Sequence, residues 1–489
     1  MSLNLISDPW IPVLMADGSR RVIAPWQIAE AAVIRPDWPR PDLNLACLEL
    51  LIGLVYLADP PEHVEYWQDR RKPDAARLRD RLSAYAPAFN LLGAGPLFLQ
   101  DLEPIAGEVN PPDMLFIDSA GANTARNNAD LMVHRDRYAR LDPALAAMAL
   151  YTFQAHAPSG GAGNRTSLRG GGPLVTLVDP GQGLWEMVWA NVPDGRPGQM
   201  ADLPWMRATR VSDKGMETPP PEGRTFGVEA FFGMPRRLRL LGDAAGITGV
   251  IQRPYGTNYG FWVHPLTPYY RLKPGAELLP VHPRAGLFGY RHWLGILAGS
   301  ADGLRERAAC LATWQARDRR AQVTVLVAGW AMDNMKPRDF TLSSQPFVDL
   351  APDALGLLQG MILAAEQAAL ALRSALEPVL AAGEAREAER EAFYRRTEPD
   401  FLACFDALKN GKAPPEVAAQ WLGHLRRNAL AQFDALALAG IHQAETDQMA
   451  RVVQARSYLA ATFSGHGKAG GELFGQLALE KPAKRGKAA

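Results

Sequence analysis

The stretch SGGAGNRTSLRGGG, residues 159–172, places six glycines and two arginines within fourteen positions. Glycine loses more freedom on ordering than any other residue, so such a run marks backbone that bends sharply or approaches something closely. Glycine beside a cation first suggests a phosphate cradle. A Walker loop needs GxxxxGK[ST]; with Arg165-Thr166 in place of Lys-Thr, Ser159 and Asn164 occupy both glycine positions. The planar arginine fork is also a poor substitute for a compact ammonium at that phosphate. The dinucleotide pattern GxGxxG fails as well, because Gly161 and Gly163 are followed by Thr166 where the third glycine belongs. The stretch follows a predicted helix rather than a strand. No nucleotide cofactor is expected.

Acid–base and metal chemistry find no better footing. No serine sits in a GxSxG elbow, and the nine histidines include no HExxH or close HxH pair. His264, His282 and His292 fall in a proline- and aromatic-rich region without carboxylates at ligand spacing. No metal is therefore expected. A stand-alone hydrolase using the glycine-rich loop with His264 and His282 is the enzyme alternative to a non-catalytic reading.

Composition narrows the classes further. The 489 residues, 47% hydrophobic and 21% charged, are those of a globular chain with room for about two or three domains. The 39 prolines lie mostly before residue 350 and predict an irregular, loop-rich N-terminal region. Cys47, Cys310 and Cys404 are scattered without CxxC spacing, which suits a reducing cytoplasm. Lysine plus arginine balances aspartate plus glutamate, 52 against 52. A free-standing protein that wraps nucleic acid would be basic, so any nucleic-acid contact must come from local sites on a subunit whose partners supply the field. The opening MSLNLISDPW has no basic region of the secretory type. The apolar run from Leu43, LNLACLELLIGLVYLA, carries Asn44 and Glu49 and predicts a buried helix rather than a membrane span.

The elements that must position these residues fall into two regions. Around Asp17-Gly18, alternating apolar residues predict a hairpin. Strands are expected in PLVTLVD from Pro173, LWEMVWANV from Leu184, RRLRLLG from Arg236 and QVTVLVAGW from Gln322. Helices are expected over 141–156 and 303–316. From Asp353 the spacing turns helical, with Leu355, Leu358, Ile362, Ala365, Ala369 and Leu372 on one stripe. Further helices are predicted over 384–408, around Leu422 to Leu436, and over 446–463, with glycine or proline connections between them. The fold class is therefore α+β: a mixed α/β domain over 1–350, then an antiparallel four-helix bundle over 351–489 with a mobile basic tail, EKPAKRGKAA.

Three stretches taken together, NLISDPWIPV from Asn4, SLRGGGPLVTLV from Ser167 and GWAMDNMKP from Gly329, resemble the CasA family, the large subunit of the type I-E CRISPR Cascade complex. LFIDSAGANTARNNAD from Leu115 and RPYGTNYGFWVHPLTPYY from Arg253 are similar to that family too, in the same order. The resemblance implies a non-catalytic, cytoplasmic subunit with no cofactor and no membrane contact. Its implied partners are a double-stranded DNA target, guide RNA with the other Cascade subunits, and a helicase-nuclease recruited on target binding. It would recognise the protospacer-adjacent motif and promote strand separation, while guide pairing supplies sequence specificity.

The resemblance also assigns residues. Gly160, Gly161, Ala162 and Gly163 would bring bare backbone to the floor of a minor groove about 6 Å wide, whose acceptor pattern is degenerate. Asn164, Arg165 and Arg169 would meet flanking phosphates. Arg253 would be the minor-groove finger, with Gln252 the alternative by a one-residue shift. For Gly170 to Gly172, a turn packing ahead of a strand is the favoured reading. A wedge that splits the duplex falls on Asp333, Asn334, Met335 and Lys336. Pro337 is expected to stop a regular strand and leave a turn there, the alternative being an Asx turn with Met332 and Met335 both buried. A loop near the DNA and the guide end carries Asn123, Arg126, Asn127 and Asn128. Arg426, Arg427, Arg451 and Arg456 would line a path for the displaced strand.

Overall fold

The computed structural model describes residues 3–119, 126–128, 137–161, 163–318 and 323–481. The chain forms two compact units, residues 1–287 with 307–347, and residues 288–306 with 348–489.

In the first unit, β1 (Ile11–Met15) and β2 (Arg20–Ile23) pair antiparallel across the Asp17-Gly18 turn, and β3 (Val33–Pro36) lies on the other edge of β1. α1 (Pro41–Ala58) follows, started by proline in its first turn, and is buried all round except at Pro41 and Asn44. A helix without a polar face can only be a core helix or a membrane span. α1 and Pro352–Ala375 are both long and apolar enough to cross a membrane, yet 89% and 61% of the qualifying stretches are buried inside the protein. Both are core helices.

α2 (Val64–Asp69) and α3 (Ala75–Ser83) come next, and α4 (Pro143–His156) then packs beside α1. β4 (Val175–Asp179) leads into α5 (Leu184–Asn191), where the sequence predicts a strand. The helix wins because Trp185 and Trp189, four apart, stack at 5.3 Å on one face. Its last residue, Asn191, is buried and exchanges amide hydrogen bonds of 2.8 Å with both backbone groups of Val178. β5 (Arg237–Asp243) and β6 (Gly246–Arg253) form a hairpin.

α6 (Ala309–Arg317) starts later than the predicted 303, because Gly303 takes a left-handed φ of 66° and Asp302 caps the Leu304 amide at 2.8 Å. β7 (Thr324–Asp333) and β8 (Lys336–Pro346) make a long hairpin, with β4 on the far edge of β7. Pro337 does not end the strand. It sits in β8, opposite Met332 beside a register shift, and β8 is an edge strand that can spare a donor.

The second unit is built on α7 (Pro352–Ala375), α8 (Glu384–Lys409), α9 (Pro414–Ala437) and α10 (Thr446–Thr462). A further short helix, α11 (Gly467–Gln476), escapes sequence reading because GKAGGELFGQ has poor helix propensity. It lies so close to α7 that a Cβ at Gly360 would come 2.0 Å from the Gln476 carbonyl. Residues 288–306, expected with the N-terminal domain, belong to this unit. Tyr290 stacks on Phe401 at 4.2 Å and its hydroxyl meets the Thr397 hydroxyl at 2.7 Å. Trp293 stands edge-on to Phe401 and Phe405. The tail from 482 onward lies outside the described residues.

Candidate nucleic-acid interface

α4 ends at His156, and the glycine loop begins three residues later at Ser159, after Pro158. Gly161 and Gly163 have left-handed φ values of 67° and 82°, which cost a side-chain-bearing residue about 1–2 kcal/mol. The tip closes on itself through Asn164 N–H donating to the Gly161 carbonyl at 2.8 Å and Gly160 N–H to the Asn164 carbonyl at 3.3 Å. Gly160 and Gly161 are exposed. Ala162 lies outside the described residues.

The loop is pinned on its inner side. Gln252 donates to the Asn164 side-chain oxygen at 2.9 Å, and Tyr255 N–H donates to the Gly163 carbonyl at 2.9 Å. Tyr255 itself holds a φ of 63°, and its ring fills the space a Gly163 side chain would need, 2.5 Å from the virtual Cβ. Arg165 is spent on Ser212, donating to its hydroxyl at 2.8 Å and its carbonyl at 2.7 Å. Of the two candidates for the finger, Gln252 is therefore committed to the loop. Arg253, the last residue of β6, is exposed, and its side chain makes no hydrogen bond or ion pair among the described residues.

Arg169 corrects an expectation. It is 3% exposed and meets no solvent phosphate. It donates to both carboxylate oxygens of Glu49 at 2.6 and 3.2 Å, while His156 meets the same carboxylate at 2.7 Å. Burial alone would raise the Glu49 carboxyl, but Arg169 and His156 outweigh it and hold Glu49 well below the usual carboxylate range. This cluster ties the base of the loop to the core helix α1. The Gly170 to Gly172 turn is structural, as the sequence suggests: side chains at Gly171 and Gly172 would lie 2.6 Å from Pro158 and 2.4 Å from the Trp330 carbonyl. The second contact packs the loop's base directly on β7.

The β7–β8 hairpin turns at Asn334 and Met335, whose φ values of 49° and 62° are those of a type I′ turn. Asp333, Asn334, Met335 and Lys336 are all exposed, with Met335 at 49%. Asp333 accepts from Asn334 at 3.1 Å and from Arg338 at 3.0 Å, which stiffens the tip. Arg126, Asn127 and Asn128 are exposed; Asn123 lies outside the described residues. In the second unit Arg456 is held bidentate by Asp434 at 2.7 and 2.8 Å, and Arg427 contacts His424 at 2.9 Å. Arg426 and Arg451 are exposed, and their side chains make no hydrogen bond or ion pair among the described residues.

His264 and His282 do not share an open site. His264 is 1% exposed, its Nδ1 accepting from Leu266 N–H at 3.2 Å, and His282 bonds the Gly172 carbonyl through Nδ1 at 3.2 Å. Burial, reinforced by Arg169, pushes His264 well below 6.5. Below about pH 6.5 the unfolded chain takes up a proton that folded His264 refuses, so stability falls as pH drops. Glu49 adds a second loss in the same direction below about pH 4.5, where the unfolded carboxylate protonates first. Melting temperatures across pH 7 to 5 should therefore decline less in His264→Asn, whose side-chain carbonyl can replace Nδ1 as the acceptor.

A family model for CRISPR-associated protein Cse1 matches residues 4–432. The chain belongs to the Cse1 (CasA) family. Solved structures agree on the fold. A CRISPR-associated protein from Thermus thermophilus superposes with a TM-score of 0.71 at 18% identity, covering 98% of this chain and 100% of that one. Cse1 from Acidimicrobium ferrooxidans gives 0.70 at 21% identity, covering 98% and 99%. A chain of a CRISPR RNA-guided surveillance complex gives 0.68 at 17% identity, covering 94% and 99%. In this Cse1 chain, sequence reading missed Tyr255 and Ser212, which pin the loop. The available signal for Tyr255 was the Pro254-Tyr255-Gly256 turn, where a side chain at Gly256 would lie 2.0 Å from the Pro235 carbonyl.

Proposed function

We propose that this Cse1 chain is the large, non-catalytic subunit of an RNA-guided surveillance complex that recognises the protospacer-adjacent motif of a double-stranded target. The glycine tip and Arg253 enter the minor groove, the β7–β8 tip parts the strands, and target binding creates the landing site for a helicase-nuclease. The supporting observation is that one unit carries all three parts and that short contacts join them: Gln252 to Asn164 beside Arg253, and Gly172 against Trp330 of the hairpin. Exposed backbone suits a groove with a degenerate code, and an exposed arginine suits its negative potential.

The wedge is tested without disturbing the turn. Glycine is favoured at both positions of a type I′ turn, so Asn334→Gly with Met335→Gly should leave the fold and initial duplex binding intact. Opening of the target, followed by fluorescence of a base analogue next to the motif, should slow at least tenfold in the complex reconstituted with guide-loaded partners. Unchanged opening would remove the wedge from the proposal.

A further inference from the structure

Arg236 lies beneath the glycine loop with no acidic partner among the described residues. It is 3% exposed, and its guanidinium stands 5.2 Å over the Phe153 ring. Nη2 donates to the Pro158 carbonyl, Nε is buried with no hydrogen-bond partner, and Nη1 makes no hydrogen bond among the described residues. Burial lowers its pKa to about 10, still leaving it charged at neutral pH. Arginines that are this buried are normally paired. The other deeply buried ones here are: Arg169 meets Glu49, and Arg317 meets Asp194.

Gly160 points to what is missing. Gly161 and Gly163 are glycine for their backbone angles, whereas Gly160 has no left-handed φ and needs another reason. A Cβ there would stand 2.9 Å from Arg236 Nη1 and 2.9 Å from Asn164 Cβ. Gly160 is exposed, and the space its side chain would occupy is bounded by Nη1.

We propose that Arg236 is an anion-receiving residue, taking a backbone phosphate of the bound nucleic acid through the gap over Gly160. This rests on the reading of the glycine loop as a DNA contact. The phosphate supplies the charge Arg236 lacks, while the Pro158 carbonyl and the Phe153 ring aim the guanidinium. Such a contact positions the strand and carries no sequence information.

The test uses the assembled complex and duplexes that vary the motif. Each phosphate neutralised contributes about 0.9 to the slope of log K against log salt. Arg236→Met keeps the packing on Phe153, and its slope should be shallower by about that amount, with a similar loss of affinity for every motif. A wild-type slope in R236M, even with a lower melting temperature, means a strut for Pro158 and overturns the proposal. A second measurement needs no variant. Single methylphosphonate linkages walked along the flank should reveal one whose neutralisation weakens the wild-type complex and produces no further loss in R236M. A wild-type complex indifferent to every such linkage overturns the proposal as well. Failure of the underlying reading looks different: there, Gly163 variants also bind target normally.

Discussion

Truncating Glu49 to alanine is expected to destabilise the first unit by about 3–5 kcal/mol, the usual consequence of removing one member of a buried ion pair. Among the described residues the Arg169 side chain, 3% exposed, would keep Thr267 at 3.2 Å and the Ala155 carbonyl at 3.4 Å as its acceptors. His156 would lose its 2.7 Å partner in the same step. Urea unfolding of the isolated chain should show the loss as a lower midpoint. Glu49→Ala combined with Arg169→Met should recover part of it, since two apolar groups leave no uncompensated charge. A single-variant loss below about 1 kcal/mol would mean that the cluster is not the anchor of the loop.

Gly163→Val is expected to weaken target binding by the assembled complex at least tenfold, through displacement rather than unfolding. Valine at a φ of 82° meets about 1–2 kcal/mol of backbone strain. Its Cβ would stand 2.5 Å from the Tyr255 ring, so both the tip and the Tyr255 turn must move. Gly18→Val is the matched control. Its φ is also 82°, but nothing lies within 4 Å of the virtual Cβ, so it carries the same strain without touching the loop. Comparable target binding by the two variants would separate the glycine tip from DNA recognition.

Much of the fold was legible because its signals are local. The turn at Asp17-Gly18, the buried run from Leu43 and the helical stripe from Leu355 each depend on neighbours a few residues away. Arg169 was misread because its partner lies 120 positions distant, and nothing in SLRGGG distinguishes a solvated arginine from one bonded to Glu49. Arg236 was overlooked for the same reason: in RRLRLLG it looks like the edge of a strand. The α5 segment misled because tryptophan and valine favour strands, and the pairing of Trp185 with Trp189 decides for helix only once a face is buried. The three glycines before β4 could be assigned to packing from their position alone, whereas Gly160 is explained only by the guanidinium that the fold places below it.

The insertion of residues 288–306 among the bundle helices has a consequence for how the chain can be made and divided. A fragment starting at residue 351 would lack Tyr290 and Trp293, leaving Phe401 and Phe405 facing a void where aromatic rings belong. Neither unit is contiguous along the polypeptide. On the ribosome the first unit cannot close until its β7–β8 hairpin emerges, and by then the aromatic insert has already been released and must wait for α8. A separately expressible bundle would have to be a circular permutant or carry the insert grafted ahead of α7.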